Sequence, residues 1–96
     1  MVQVKLEFGG GLDAIVADRT KRLQVDAPVR TLGELITWVR RNCIREKHDM
    51  FAVSEATVRP GVLVLVNEVD WELEGTTRYE LQPGDHVAFI STLHGG

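Results

Sequence analysis

Val2, Val4, Leu6 and Phe8 alternate with Gln3, Lys5 and Glu7 at the start of the chain. A strict period of two places the four apolar side chains on one face, which makes this segment a strand with one side in a core and the other in water. The rest of the chain must therefore complete a sheet and cover that apolar side. Gly9, Gly10 and Gly11 then break the pattern, and their tolerance of positive φ suits a reversal toward a second strand at residues 21–26, where Leu23 and Val25 alternate with Arg22 and Gln24. The intervening residues 12–20 fit equally a short helical turn or an extension of the hairpin.

Beyond Pro28, Thr31 followed three residues later by Glu34 forms a capping-box pattern that announces a helix. Leu32, Leu35, Ile36, Val39 and Cys43 share one face of it, which should pack on the sheet. Arg40, Arg41 and Arg45 fall near its C-terminus, where positive charge complements the helix dipole. After a polar stretch containing Met50, Phe51 and Val53, the Arg59, Pro60, Gly61 turn leads into five apolar residues, 62–66, that read as a well-covered strand. Residues 67–70 should turn the chain, Trp71 with Leu73 should form a short strand, and Pro83, Gly84 and Asp85 should form a turn before a last strand at residues 86–91. The order strand, strand, helix, strand, strand, strand is that of an α+β, β-grasp (ubiquitin-like) domain: a mixed sheet with one main helix packed across one face. In that arrangement the first and last strands lie parallel in the middle.

Ninety-six residues suffice for one core but not two, and 44% hydrophobic with 26% charged residues is the balance of an ordinary globule. Fourteen acidic against eleven basic side chains, a formal charge of −3, argue against an electrostatic grip on nucleic acid or an anionic membrane. The single cysteine, Cys43, forms no internal disulfide and fits a reducing compartment. With neither a signal-peptide pattern nor a membrane-length apolar run, the chain is expected in the cytoplasm, with access to the nucleus by diffusion.

The chain ends in Gly95 and Gly96. About one chain in two hundred would do so by chance. A Gly-Gly tail passes through a channel too narrow for other residues and offers an unshielded carboxylate. The expected organisation is a domain over residues 1–91 and a flexible tail over 92–96, able to extend about 17 Å from a central strand. No protease is expected to be needed to expose the glycines. A free carboxylate is a poor electrophile, and joining it to AMP supplies a good leaving group. The chain has neither GxxxxGK[ST] nor a GxGxxG opening a helix, so the ATP site must belong to another protein.

Four segments, VKLEFGGGLDAI (residues 4–15), RPGVLVLVN (59–67), DWELEG (70–75) and FISTLHGG (89–96), make the chain resemble the ubiquitin-related modifier family of eukaryotic sulfur carriers. The stretches 16–31 and 42–57 match less well. The resemblance implies a co-substrate rather than a catalyst. A partner E1-like activating enzyme with adenylation and rhodanese-type domains would adenylate Gly96 and convert it to a thiocarboxylate, using ATP and persulfide sulfur while the carrier itself binds no cofactor. A tRNA thiolase would spend that sulfur on the wobble uridine of cytosolic tRNAs, and Gly96 would also form isopeptide bonds to lysine-bearing target proteins. The design is similar to that of small bacterial sulfur carriers. Gly95 is expected to be needed for passage of the tail, with Thr92, Leu93 and His94 as recognition positions.

Other residues have plainer readings. Cys43 continues the apolar helix face and reads as a packed thiol rather than a nucleophile. His94 is otherwise a solvated imidazole, and His48, His86 and His94 lack metal-ligand spacing. The neighbours Asp85 and His86 reflect a turn and an exposed strand position rather than an acid–base pair. Arg40, Arg41, Arg45 and Lys47 read as a charged helix end rather than a tRNA site. In residues 62–66 the alternate set that faces away from the helix is either buried by a loop or a docking face for the activating enzyme, and the sequence leaves both open. Two other functions also remain open, a conjugation-only modifier and a non-covalent β-grasp binding module. Loss of thiolated tRNA on deleting Gly96 separates the first; indifference to removing both glycines marks the second.

Overall fold

A computed structural model of the chain describes residues 1–54 and 56–92. Strand β1 (Val2–Gly9) buries Val2, Val4, Leu6 and Phe8 and exposes Gln3 and Lys5, as its alternation requires. It pairs antiparallel with β2 (Arg22–Ala27), with Val4 opposite Val25 and Leu6 opposite Leu23. This strand lies one residue later than expected because Ala27 is fully buried opposite Val2.

The connection between the two strands consists of single 3-10 turns at Leu12–Ile15 and Ala17–Arg19, which settles the open reading of residues 12–20. These turns are tied to the end of the helix by Ala17 N–H donating to Cys43 O (2.9 Å) and Arg45 N–H to Ile15 O (2.7 Å). At Gly10, φ is +66° and a Cβ would lie 2.0 Å from the Ser91 carbonyl oxygen, so only glycine lets the loop pass the end of the last strand.

Helix α1 (Leu32–Asn42) starts at the Thr31 capping box. Glu34 N–H donates to Thr31 Oγ1 (3.2 Å), and Thr31 N–H donates to Glu34 Oε1 (2.9 Å). Leu32, Leu35, Ile36 and Val39 are fully buried, and Cys43, at the C-cap, continues the buried face. The polar stretch that follows conceals a small hairpin, β3 (Ala52–Ser54) with β4 (Thr57–Val58), absent from the expected element order. Arg40 holds this hairpin to the helix, donating from Nε to Ala52 O (2.9 Å) and from Nη2 to Asp49 Oδ1 (2.8 Å). Phe51, fully buried, meets Phe89 edge-on at 5.0 Å between ring centroids.

Strands β5 (Val62–Val66) and β6 (Val69–Asp70) are joined by a two-residue turn with positive φ at Asn67 (50°) and Glu68 (72°), the geometry that tight hairpins favour. The turn is thus shorter than expected, and the strand expected at Trp71 and Leu73 is a 3-10 turn, Trp71–Leu73. Its cause is local: the Asp70 carboxylate accepts from Glu72 N–H (2.9 Å) and caps the turn. A further turn, Thr76–Arg78, lies against Gly33 of α1.

Strand β7 (Asp85–Ser91) completes a five-stranded sheet of order β2-β1-β7-β5-β6. β1 and β7 are parallel at its centre, from Val4 opposite Asp85 to Gly9 opposite Ile90. The remaining pairs are antiparallel. This is the expected β-grasp, with one core formed by the inward residues of β1, β5 and β7 and the apolar face of α1.

Candidate functional site

β5 and β7 pair antiparallel, with Val62 opposite Ser91 and Val66 opposite Val87. Their inward residues, Val62, Val64, Val66, Val87 and Phe89, are buried. The outward set brings Leu63 opposite Ile90 and Leu65 opposite Ala88. Leu63 is 44% exposed, Leu65 and Ile90 are half-buried, and Ala88 is buried between its neighbours. Among the described residues Leu63 therefore stands exposed with Leu65 and Ile90 half-exposed beside it, an apolar patch on the outer face of the sheet, as the docking reading of this alternate set requires. Of the run 62–66, read as a well-covered strand, the inward set is buried and the outward set, left open by the sequence, is only partly so.

The patch ends where β7 runs into Thr92. Thr92 N–H (2.8 Å) and Oγ1 (2.6 Å) both bond to Gly61 O, so the chain leaves the sheet from a fixed point beside Leu63 and Ile90. Leu93, His94, Gly95 and Gly96, the remaining residues singled out by the sequence, lie outside the described residues.

A charged border flanks the patch. His86 Nε2 lies 3.1 Å from Glu7 Oε1, and Arg22 Nε lies 3.7 Å from the same oxygen. Glu7 is also the parallel partner of Ala88. Sequence reasoning missed this pair because Glu7 and His86 stand 79 residues apart. Only the register of two parallel strands brings them together.

Asp85, expected in the turn before the last strand, is instead a buried carboxylate that opens β7. It accepts from Tyr79 Oη (2.7 Å), Gln82 N–H (2.8 Å) and Asn67 Nδ2 (3.0 Å). Burial on its own would raise its pKa, but the hydrogen bonds from Asn67, Gln82 and Tyr79 outweigh it and hold the carboxyl below its ordinary range. Tyr79 is pushed up to about 12, first by burial and then by its bond to Asp85 and the nearby carboxylate charges. This network fastens the residue 79–85 loop to the β5–β6 turn. Cys43 is buried, and burial pushes its thiol up to about 11, as befits a packed residue. Arg40 is occupied by Asp49 and Ala52, consistent with a charged helix end.

A domain with a parallel central pair, one capped helix and an apolar patch beside the root of a Gly-Gly terminus belongs to the ubiquitin-like β-grasp modifiers. Residues 3–96 match the family model described as Urm1 (Ubiquitin related modifier). The ubiquitin-related modifier 1 homolog of Chlamydomonas reinhardtii is 52% identical over 101 residues, covering all of both chains. The solution structure of Urm1 from Trypanosoma brucei, 39% identical, superposes with a TM-score of 0.81 over 98% of this chain and 95% of that one. The Amycolatopsis orientalis BexX/CysO complex contains a chain of the same fold, with a TM-score of 0.71 at 22% identity over 97% and 99%. The chain belongs to the ubiquitin-related modifier family.

Proposed function

We propose that the chain is a sulfur carrier whose working group is the Gly96 carboxylate. The observation that supports this best is the apolar patch of Leu63, Leu65, Ala88 and Ile90 at the point where the central strand feeds the terminal segment. An exposed apolar patch on a small domain marks a protein interface. Here its occupant is the activating enzyme, with adenylation and rhodanese-type domains. Docking on a rigid sheet beside Thr92 would aim Thr92, Leu93, His94 and Gly95 along the enzyme's channel and bring Gly96 to its ATP.

The chemistry is acyl transfer. Attack of the carboxylate on ATP forms the acyl-adenylate and releases pyrophosphate. A persulfide sulfur then adds to the carbonyl, AMP leaves with the bonding electron pair, and a thiol cleaves the resulting acyl disulfide to leave a thiocarboxylate. That sulfur goes, in the cytoplasm, to a tRNA thiolase for 2-thiolation of the wobble uridine. Attachment of Gly96 to target lysines is a second use of the same activated carbonyl.

Incubation with the activating enzyme, ATP and a sulfur donor should exchange one terminal oxygen for sulfur in the intact mass. Absence of that change, with pyrophosphate release showing the enzyme to be active, rejects sulfur carriage. Deleting Gly96 should abolish both the mass change and tRNA thiolation.

A further inference from the structure

Leu73 is 80% exposed, far more than any other leucine of the described core or sheet. It sits on a rigid turn: Asp70 caps Glu72 N–H, Glu74 N–H closes onto Trp71 O (2.9 Å), and Trp71 packs against the core. A fixed leucine standing in water contributes nothing to the fold. A partner that buries it orders nothing new, so the cost of binding is low. Around it the surface is acidic: residues 68–80 carry five acidic side chains and one basic, Arg78. Glu72 and Glu74, on either side of Leu73, are both exposed. An apolar anchor between carboxylates fits an apolar pocket rimmed by Arg and Lys.

Its position adds a second argument. β6 is the edge strand and returns antiparallel along β5, with Asp70 opposite Leu65, so the Trp71–Leu73 turn that follows lies at the sheet edge alongside β5, while Thr92 leaves from the end of β7, on the other side of β5. The ridge and the outer-face patch share no residue.

We propose that Leu73, Glu72 and Glu74 form the docking ridge for the enzyme that moves the carried sulfur onto RNA. This rests on the sulfur-carrier reading above. An enzyme that holds RNA must present a basic surface to phosphates. The acidic ridge complements that surface and repels the RNA itself, so it seats on the part the nucleic acid leaves bare.

The test measures binding of the full-length chain to the purified RNA-thiolating enzyme, free of RNA, by biolayer interferometry at two salt concentrations. Leu73→Ser should weaken binding about tenfold or more, the scale of one desolvated leucine. The double variant Glu72→Lys, Glu74→Lys should weaken it further and reduce its salt dependence. Thermal melting checks that these exposed substitutions leave the fold intact. Thiocarboxylate formation by the activating enzyme, read by intact mass, should be unchanged in both, which keeps failure of the ridge distinct from failure of sulfur carriage. Unchanged affinity in both variants, or no binding of the unaltered chain, overturns the proposal. A loss of thiocarboxylation that matches the loss of binding overturns it too, by giving the ridge to the activating enzyme. Self-association in sedimentation that the variants abolish would instead make a second copy of the chain the occupant.

Discussion

Asp85 joins three separate pieces of chain through one carboxylate, taking hydrogen bonds from Asn67, Tyr79 and Gln82 while buried itself. Its folded pKa lies below the ordinary 3.8, so the ionised form is favoured by folding. That contribution is complete above the unfolded pKa and fades as pH falls through the lower folded one. Asp85→Asn should therefore cost about 1–3 kcal/mol at neutral pH, since an amide cannot accept all three bonds. Urea denaturation between about pH 3 and pH 7 should show a flatter acid limb in the variant. Equal acid slopes in both proteins would clear Asp85 of this role. Cys43 makes the opposite case, a titratable group whose charge the fold suppresses. With the thiol pushed up to about 11 by burial, native protein should react with a disulfide reagent no faster than it unfolds. Full modification within the mixing time would show the thiol to be accessible.

Helix α1 depends on contacts at its first turn that differ in how far they could be read in advance. The Thr31 box is local, and Thr31→Ala should cost about 1 kcal/mol in chemical denaturation. Gly33, two residues on, is governed by a contact with a segment far away in sequence. A Cβ there would lie 2.9 Å from Thr77 Cβ and 3.1 Å from Thr77 O. Alanine would raise helix propensity by about 1 kcal/mol, but it must push the Thr76–Arg78 turn off the helix. The clash should win, giving a net loss of about 1–3 kcal/mol; a melting temperature equal to or above the parent's would refute this. The same division separates what was legible from what was not. β1, α1 and β7 announce themselves by period and caps, and with them the β-grasp order. The β3–β4 hairpin did not, because strands of three and two residues carry no period. Trp71 and Leu73 looked like a strand because they alternate, yet the Asp70 cap and the exposure of Leu73 show that no sheet face is involved. The patch was half-legible: residues 62–66 declared an apolar run, but its outward face became an open surface only once Ile90 and Ala88 were placed beside it. Glu7 with His86 needed the parallel register and could not be found by spacing at all.

For the molecule as a whole, the proposed function separates holding from reacting. The sheet holds Thr92 through Gly61, the outer-face patch lies beside that point, and the carboxylate proposed to react is that of Gly96. If the patch is the activating enzyme's footing, two variants should fail in different ways. A chain lacking Gly95 and Gly96 keeps Leu63, Leu65 and Ile90, so it should compete with the intact chain for the enzyme while yielding no adenylate. Leu63→Asp keeps the terminal carboxylate but sets a charge in the middle of the patch. Because Leu63 is 44% exposed, that substitution should lower the melting temperature by only a few degrees and leave the protein folded at the assay temperature. Burying a carboxylate against an apolar partner is costly, so kcat/KM for adenylation should fall by about tenfold or more, mainly through KM. Pyrophosphate release measured across carrier concentrations distinguishes the outcomes. Equal kcat/KM for Leu63→Asp and the parent would leave the tail as the sole determinant of activation, and failure of the truncated chain to compete would lead to the same conclusion from the other side.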